Sequence, residues 1–247
     1  MSVFSFLGLT VNALTMNDLH VLINDAVKKE GTCVIGHHNL HSLYIYHHEY
    51  KMREFYKRTD FIHIDGMPLI FLGRLLGYPL QRRHRLTYVD WIRPLMREAA
   101  RQRLRVFFVG SKPGVAAQAE KLLKAEVPEL ELKTIHGYFD LTPESKENQE
   151  VLESIEAYKP NILMVGMGMP RQEYWILDNL GKLNMSIILT AGACMDYVAR
   201  IVPTPPRWMG QLGLEWLHRL LSDPKRLWRR YLLEPWFVLK LLLREII

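Results

Sequence analysis

The chain is predicted to be an α/β protein. It should have a Rossmann-like, largely parallel sheet flanked by helices, followed by a helical C-terminal appendage. Three observations predict this. Short apolar runs alternate with amphipathic stretches through residues 1–199, the pattern of strands joined by crossover helices. One unit, RVFFVG–SKPG–VAAQAEKLLKAEVPELELKTIHG, runs strand, turn, helix and strand in that order. The segment IVPTPP cannot be helical, so it separates a body (1–199) from a tail (200–247).

The elements follow in order. Phe4–Leu9 reads as a strand; the N-terminal stretch is apolar but lacks a basic region and a clear cleavage site, unlike a signal peptide. Met16–Lys29 is amphipathic and helical, Thr32–Ile35 is a strand and His41–Arg58 a helix. Phe61–Ile64 is the next strand, followed by helices over Leu69–Leu76 and Val89–Arg103. Arg105–Val109 is the strand of the clearest unit. Pro113 and Gly114 then open its helix, Gly114–Glu126, as helix starts favour. Leu132–His136, Ile162–Gly166 and Ser186–Thr190 are strands, and Pro143–Tyr158 and Gln172–Leu183 the helices between them. No repeat of solenoid period interrupts the series.

A chain of 247 residues can bury a proper core as one large domain or as one domain with an appendage. The net charge of +6 is modest and concentrated in the tail. There Arg200, Arg207, Arg219, Lys225, Arg226, Arg229, Arg230, Lys240 and Arg244 face only Glu215, Asp223, Glu234 and Glu245. This local bias favours an anionic surface or a phosphate-bearing ligand over nucleic acid. Cys33 and Cys194 are the only cysteines and form no CxxC pair, which excludes a disulfide framework and fits a reducing cytoplasm.

Trp208, Trp216, Trp228 and Trp236 are interleaved with the tail's cations. Such a pattern suits helices lying in a membrane interface, rings at headgroup level and cations toward anionic phosphate. The last apolar run, Trp236–Ile247, is broken by Lys240 and Arg244. The tail is therefore expected to lie on a membrane rather than span it.

Several segments could carry chemistry. Asp65 closes the apolar strand FIHI and precedes Gly66. It is either a carboxylate in the crevice at the strand ends or an ordinary Asp-Gly turn. Asn39 follows the strand TCVIG in GHHNLHS and can both donate to and accept from a sugar hydroxyl. The neighbouring histidines, His37 and His41 among them, are read as hydrogen-bonded or surface groups rather than metal ligands. After NILMV, Gly166 and Gly168 permit close backbone approach of a phosphate or simply make a tight turn; Gly110 and Ser111 after VFFV carry the same two readings. GMGMPR lacks the last glycine of a dinucleotide fingerprint. Arg85 lies in the basic run QRRHR, with Arg83 its competitor. Asp196 follows a small-residue turn, where a helix dipole favours it.

Taken together, IDGMP (64–68), VGMGMPRQE (165–173) and PPRW…LGLEWLHRLLSDPKRLWRRY resemble, in order and spacing, the WecG/TagA/CpsF family of bacterial glycosyltransferases, glycosyltransferase family 26. The resemblance implies an inverting transfer from a UDP-sugar to a sugar on polyprenyl diphosphate, at the cytoplasmic face of the membrane, in cell-surface or exopolysaccharide synthesis. It makes Asp65 the general base, Gln172 a donor contact, Gly110 and Ser111 a nucleotide turn, and Asn39, His37, Arg85 and Asp196 substrate contacts. The family shows Thr-Pro-Asn where this chain has His37-His38-Asn39, and Gly where it has Tyr88. No D-x-D stretch is present, so a leaving diphosphate would be neutralised by Arg219, Arg226 and Arg229, with no metal or cofactor. The same arginines also suit lipid headgroups, and both roles hold if the tail folds over the site. IDGMP and the RRY ending look most like members that add glucose, with N-acetylmannosamine or its uronic acid as rival donor. A homo-oligomer is allowed. Two other classes stay open, a nicotinamide-dependent oxidoreductase and a non-catalytic nucleotide-binding protein docked on a membrane.

Overall fold

A computed structural model describes residues 2–206, 208–209 and 213–246, without the side chains of Arg226 and Ile246. Strands β1 (Val3–Phe6) and β2 (Leu9–Asn12) form an antiparallel hairpin apart from the main sheet. The main sheet contains β3 (Cys33–His38), β4 (Phe61–Ile64), β5 (Val106–Gly110), β6 (Leu132–Ile135), β7 (Ile162–Gly166) and β8 (Ile187–Thr190). Its order is β4-β3-β8-β7-β5-β6, every pair parallel. The α/β, largely parallel architecture is thus as expected. The first predicted strand, Phe4–Leu9, differs: Leu7 and Gly8 take positive φ and fold the run back into the hairpin.

Helices α1 (Met16–Val27), α5 (Tyr88–Arg101), α6 (Val115–Glu126) and α9 (Cys194–Val198) cover one face of the sheet; α3 (Tyr50–Lys57), α7 (Lys146–Tyr158) and α8 (Arg171–Asn179) cover the other. Alternation along β5 explains why both faces can be apolar. Val106 and Phe108 enter the first core, Phe107 and Val109 the second. The single helix expected over His41–Arg58 is two, α2 (Leu40–His48) and α3, broken where Glu49 is extended. Helix α4 (Met67–Leu75) follows β4, and a third core joins the hairpin, α4 and Leu43 of α2.

The tail helices are α10 (Glu215–Ser222), α11 (Pro224–Trp228), a π-helical turn over Arg229–Leu233, and α12 (Glu234–Ile246). Helix α12 packs back on the body: Val238 and Leu242 join the third core, and the Glu245 carboxylate accepts from the Leu7 N–H at 2.7 Å. Among the described residues no helix is long and apolar enough to cross a membrane.

Strand order reverses around β3 and β8. The chain steps outward from β3 to the edge strand β4, and from β5 to the edge strand β6; β7 and β8 later fill the middle. In open parallel sheets the crevice beyond the strand C-termini at such a switch point is where ligands bind.

Candidate active site

A cavity of about 690 Å³ opens at this switch point. The strand ends supply His37, Asn39, Asp65, Ala191 and Gly192, α8 supplies Gln172, and the tail supplies His218, Arg219, Arg229, Arg230 and Tyr231. Residues separated by nearly 200 positions thus meet, because the tail closes over the open edge of the sheet.

Asp65 is placed by β4. Its N–H donates to the His38 carbonyl at 2.8 Å, continuing the parallel ladder one residue past the strand. Gly66, at φ +104°, then turns the chain into α4, a conformation that favours glycine. The Asn39 amide donates to Asp65 Oδ2 at 3.5 Å, and His37 Nε2 lies 4.0 Å from the same oxygen. Burial alone would raise the Asp65 carboxyl; His37, Arg219, His63 and the Asn39 amide outweigh it and hold the group below the usual aspartate range. Burial also drives His37 down, and His63 down to about 3. Both histidines are therefore neutral at pH 7, and Arg219 is the fixed cation of the set. Asp65 is an ionised carboxylate able to take a proton from a hydroxyl.

Asn39 does not have both ends free for a sugar. Its Oδ1 accepts from the Ser42 N–H at 3.0 Å, in a reciprocal capping box that starts α2. Its amide is then left to steer Asp65. His37 is pinned by Thr190 Oγ1 at 2.8 Å. The other strand-end histidine, His38, points to the opposite face, with Nδ1 3.0 Å from Ser42 Oγ. His41 instead meets both oxygens of Glu234 at 2.9 Å, tying α2 to α12.

Gln172 is wholly buried on the cavity wall. Its Oε1 accepts from the Gly192 N–H at 3.1 Å and its Nε2 donates to Glu173 Oε1 at 2.7 Å. One amide hydrogen remains for a ligand. Glu173, not singled out from the sequence, is also fully buried, and burial raises its carboxyl to about 7.

The glycine turns divide by role. A Cβ on Gly110 would sit 2.3 Å from the Gly166 carbonyl oxygen, and one on Gly166 2.5 Å from that of Gly192. These glycines let three strand ends pack, and neither lines the cavity. Gly168 does line it, at φ +81° with open space where a side chain would be. Ser111, at φ +57°, donates from Oγ to Asp196 Oδ2 at 2.8 Å, so these two predicted residues meet each other beside the cavity rather than on its wall.

Arg85 is placed differently from the substrate contact expected. Its guanidinium bonds Asp90 and Glu215, each at 2.8 Å, and it lines a neighbouring cavity of about 370 Å³. It clamps α10 to the body. Arg83 is not on either wall. Of the tail arginines, Arg219 and Arg229 are on the main wall, Arg219 over the Tyr197 ring at 5.5 Å; the Arg226 side chain lies outside the described set. Arg230, Tyr197, His218 and Tyr88 are also on the wall. A basic run marks Arg230, but nothing in sequence spacing places the other three beside Asp65.

The family model described as "Glycosyl transferase WecG/TagA/CpsF family" matches residues 4–247. A protein of Bacillus spizizenii named N-acetylglucosaminyldiphosphoundecaprenol N-acetyl-beta-D-mannosaminyltransferase is 32% identical over 76% of this chain and 70% of its own length. A protein of Staphylococcus aureus with the same name is 28% identical over 71% of this chain and 66% of its own. The sugar these relatives' names print is N-acetylmannosamine, the rival of the glucosyl donor expected from the sequence.

Proposed function

Because the chain belongs to the WecG/TagA/CpsF family of glycosyltransferases, we propose that it moves N-acetylmannosamine from its UDP-sugar to N-acetylglucosamine carried on undecaprenyl diphosphate, with inversion at the anomeric carbon. One observation carries the reading. A single cavity holds an ionised carboxylate on a strand end and three arginines from the tail.

In this mechanism the acceptor hydroxyl attacks the anomeric carbon as Asp65 takes its proton. The bond from that carbon to the diphosphate oxygen breaks, and UDP leaves with its electron pair. Arg219, Arg229 and Arg230 neutralise the charge that develops, the work of fixed donors in a partly dry site. Gln172 and Gly168 line the donor side, and the Ser111–Asp196 corner extends it toward the nucleotide. The tail rests on the cytoplasmic face of the membrane through exposed Trp208, Trp236, Leu239 and Leu243, where the lipid-linked acceptor is found.

The test is UDP release from a panel of UDP-sugars with a lipid-linked N-acetylglucosamine acceptor. UDP-N-acetylmannosamine should be turned over in an acceptor-dependent way. Acceptor-dependent release with another UDP-sugar alone would refute the donor assignment, and release with none would refute the proposed function.

A further inference from the structure

Three polar atoms of cavity-wall residues are buried and have no hydrogen-bond partner among the described residues: the Tyr88 hydroxyl, His218 Nδ1 and Arg219 Nε. A buried polar group left unpaired costs about 1–3 kcal/mol. Three in one cavity mark a place where something other than the protein supplies the missing bonds. Arg219 is already given to the leaving diphosphate, and His218 is its neighbour in the tail. Tyr88 belongs to another wall.

Tyr88 is the first residue of α5. It shares its wall with Asp65, Thr87 and Val89. Its ring centroid is 6.4 Å from that of His37 and 6.3 Å from that of His63, and 5.1 Å from Trp91. The two histidines are register partners on β3 and β4, the strands that lead to Asn39 and Asp65. Packed this way the residue is 8% exposed, so the hydroxyl cannot swing into bulk water. Burial pushes the phenol well above its usual range; at neutral pH it keeps its proton and donates.

We infer that Tyr88 is a specificity-determining residue: its hydroxyl donates a hydrogen bond to an oxygen of the acceptor sugar beside the hydroxyl that Asp65 deprotonates. The inference rests on the proposed function. In an inverting transfer, base and leaving group stand at opposite ends of the reacting line. The acceptor hydroxyl must bind beside the base, and Tyr88 lines the same cavity as Asp65, next to the strand ends that carry it. A tyrosine kept for packing alone would need only its ring, and phenylalanine supplies that without the unpaired oxygen.

The experiment uses Tyr88→Phe in the full chain. The acceptors are a water-soluble N-acetylglucosamine diphospholipid analogue and a set of analogues each lacking one oxygen substituent of the sugar. The variant should melt at the wild-type temperature or above it, since an unsatisfied buried group is gone. KM for the UDP-sugar should be unchanged, and kcat/KM for the acceptor should fall about tenfold, as for one lost hydrogen bond. One deoxy analogue should cost the wild type the same factor and cost the variant nothing further. Wild-type kcat/KM in the variant, or equal losses with every deoxy analogue in both proteins, would overturn the inference. If the wild type itself turns over none of the acceptors with any UDP-sugar, the proposed function falls and the inference falls with it.

Discussion

At the scale of single residues, the site is governed by which groups are already spoken for. Asp65 has one long amide contact and one distant imidazole, so its oxygens can still receive a proton. Asn39 and Gln172 are largely committed to backbone N–H groups and act by orienting. Replacing Asp65 with Asn keeps the shape and removes the proposed base. Turnover should fall by roughly 10²–10⁴, while UDP binding, measured by calorimetry, survives; wild-type turnover would make Asp65 structural. The depressed Asp65 pKa also has a sign. The carboxylate form persists as pH falls until below the usual aspartate value of 3.8. On this account the kcat/KM profile stays flat from pH 7 to 5, and an acid limb above pH 5 would assign the base to another group.

At the scale of elements, the start of α8 stores an electrostatic cost. Glu173 lies fully buried beside Gln172, with Oε2 unpartnered among the described residues. Its carboxyl is raised from 4.5 to about 7, so between those values the folded chain holds a proton that the unfolded chain has released. Stability from this group is complete below pH 4.5 and is lost as pH rises toward 7. The loss amounts to about 3 kcal/mol at most, at 1.36 kcal/mol per unit. Glu173→Gln should remove this slope and make the variant the more stable protein at pH 8. Urea unfolding of both proteins at pH 5 and pH 8 measures it, and parallel pH dependences would show that Glu173 ionises normally. The tail helices are elements of another kind. Buried Val238 and Leu242, the His41–Glu234 pair and the Arg85–Glu215 pair make them part of the packed body, so deleting the tail would strip the third core as well as any anchor. Point changes are the cleaner probe.

At the scale of the whole molecule, the proposed catalysis and the proposed membrane contact fall on opposite sides of the same tail. Trp236 is 70% exposed and Leu243 51%, away from the cavity, whereas Arg219 and Arg229 face into it. Changing Trp236 and Leu243 to Gln removes about 1.5–3 kcal/mol of burial each. Partitioning onto anionic vesicles should drop by at least about tenfold, with transfer to a soluble acceptor intact. Arg219→Gln with Arg229→Gln should do the reverse, lowering transfer by roughly 10²–10³ and leaving vesicle binding nearly unchanged in a sedimentation assay. Loss of both activities in both variants would mean that the two sides are not separable. Transfer should also persist in excess EDTA if, as proposed, arginines carry the diphosphate charge; abolition by EDTA and recovery with Mg²⁺ or Mn²⁺ would contradict that.

The sequence by itself determined the alternation of strands and helices, because period and apolar content are local properties; Phe61–Ile64 and Ile162–Gly166 fall where they were read. It also put Asp65 at the C-terminal end of an apolar strand, where the residues alone left a crevice carboxylate or an ordinary turn open and the family resemblance favoured the first. Only the tertiary structure decided which residues meet. Strand order brings β3, β4 and β8 together, and the π-helical turn carries Arg229 and Arg230 back over them. It paired Arg85 with Glu215, 130 positions away, at 2.8 Å. It gave Gly110 and Gly166 to backbone packing and left the buried hydroxyl of Tyr88 without a partner among the described residues. Each of these depends on contacts between segments distant in the chain, and spacing along a sequence carries no record of a neighbour that folding alone supplies.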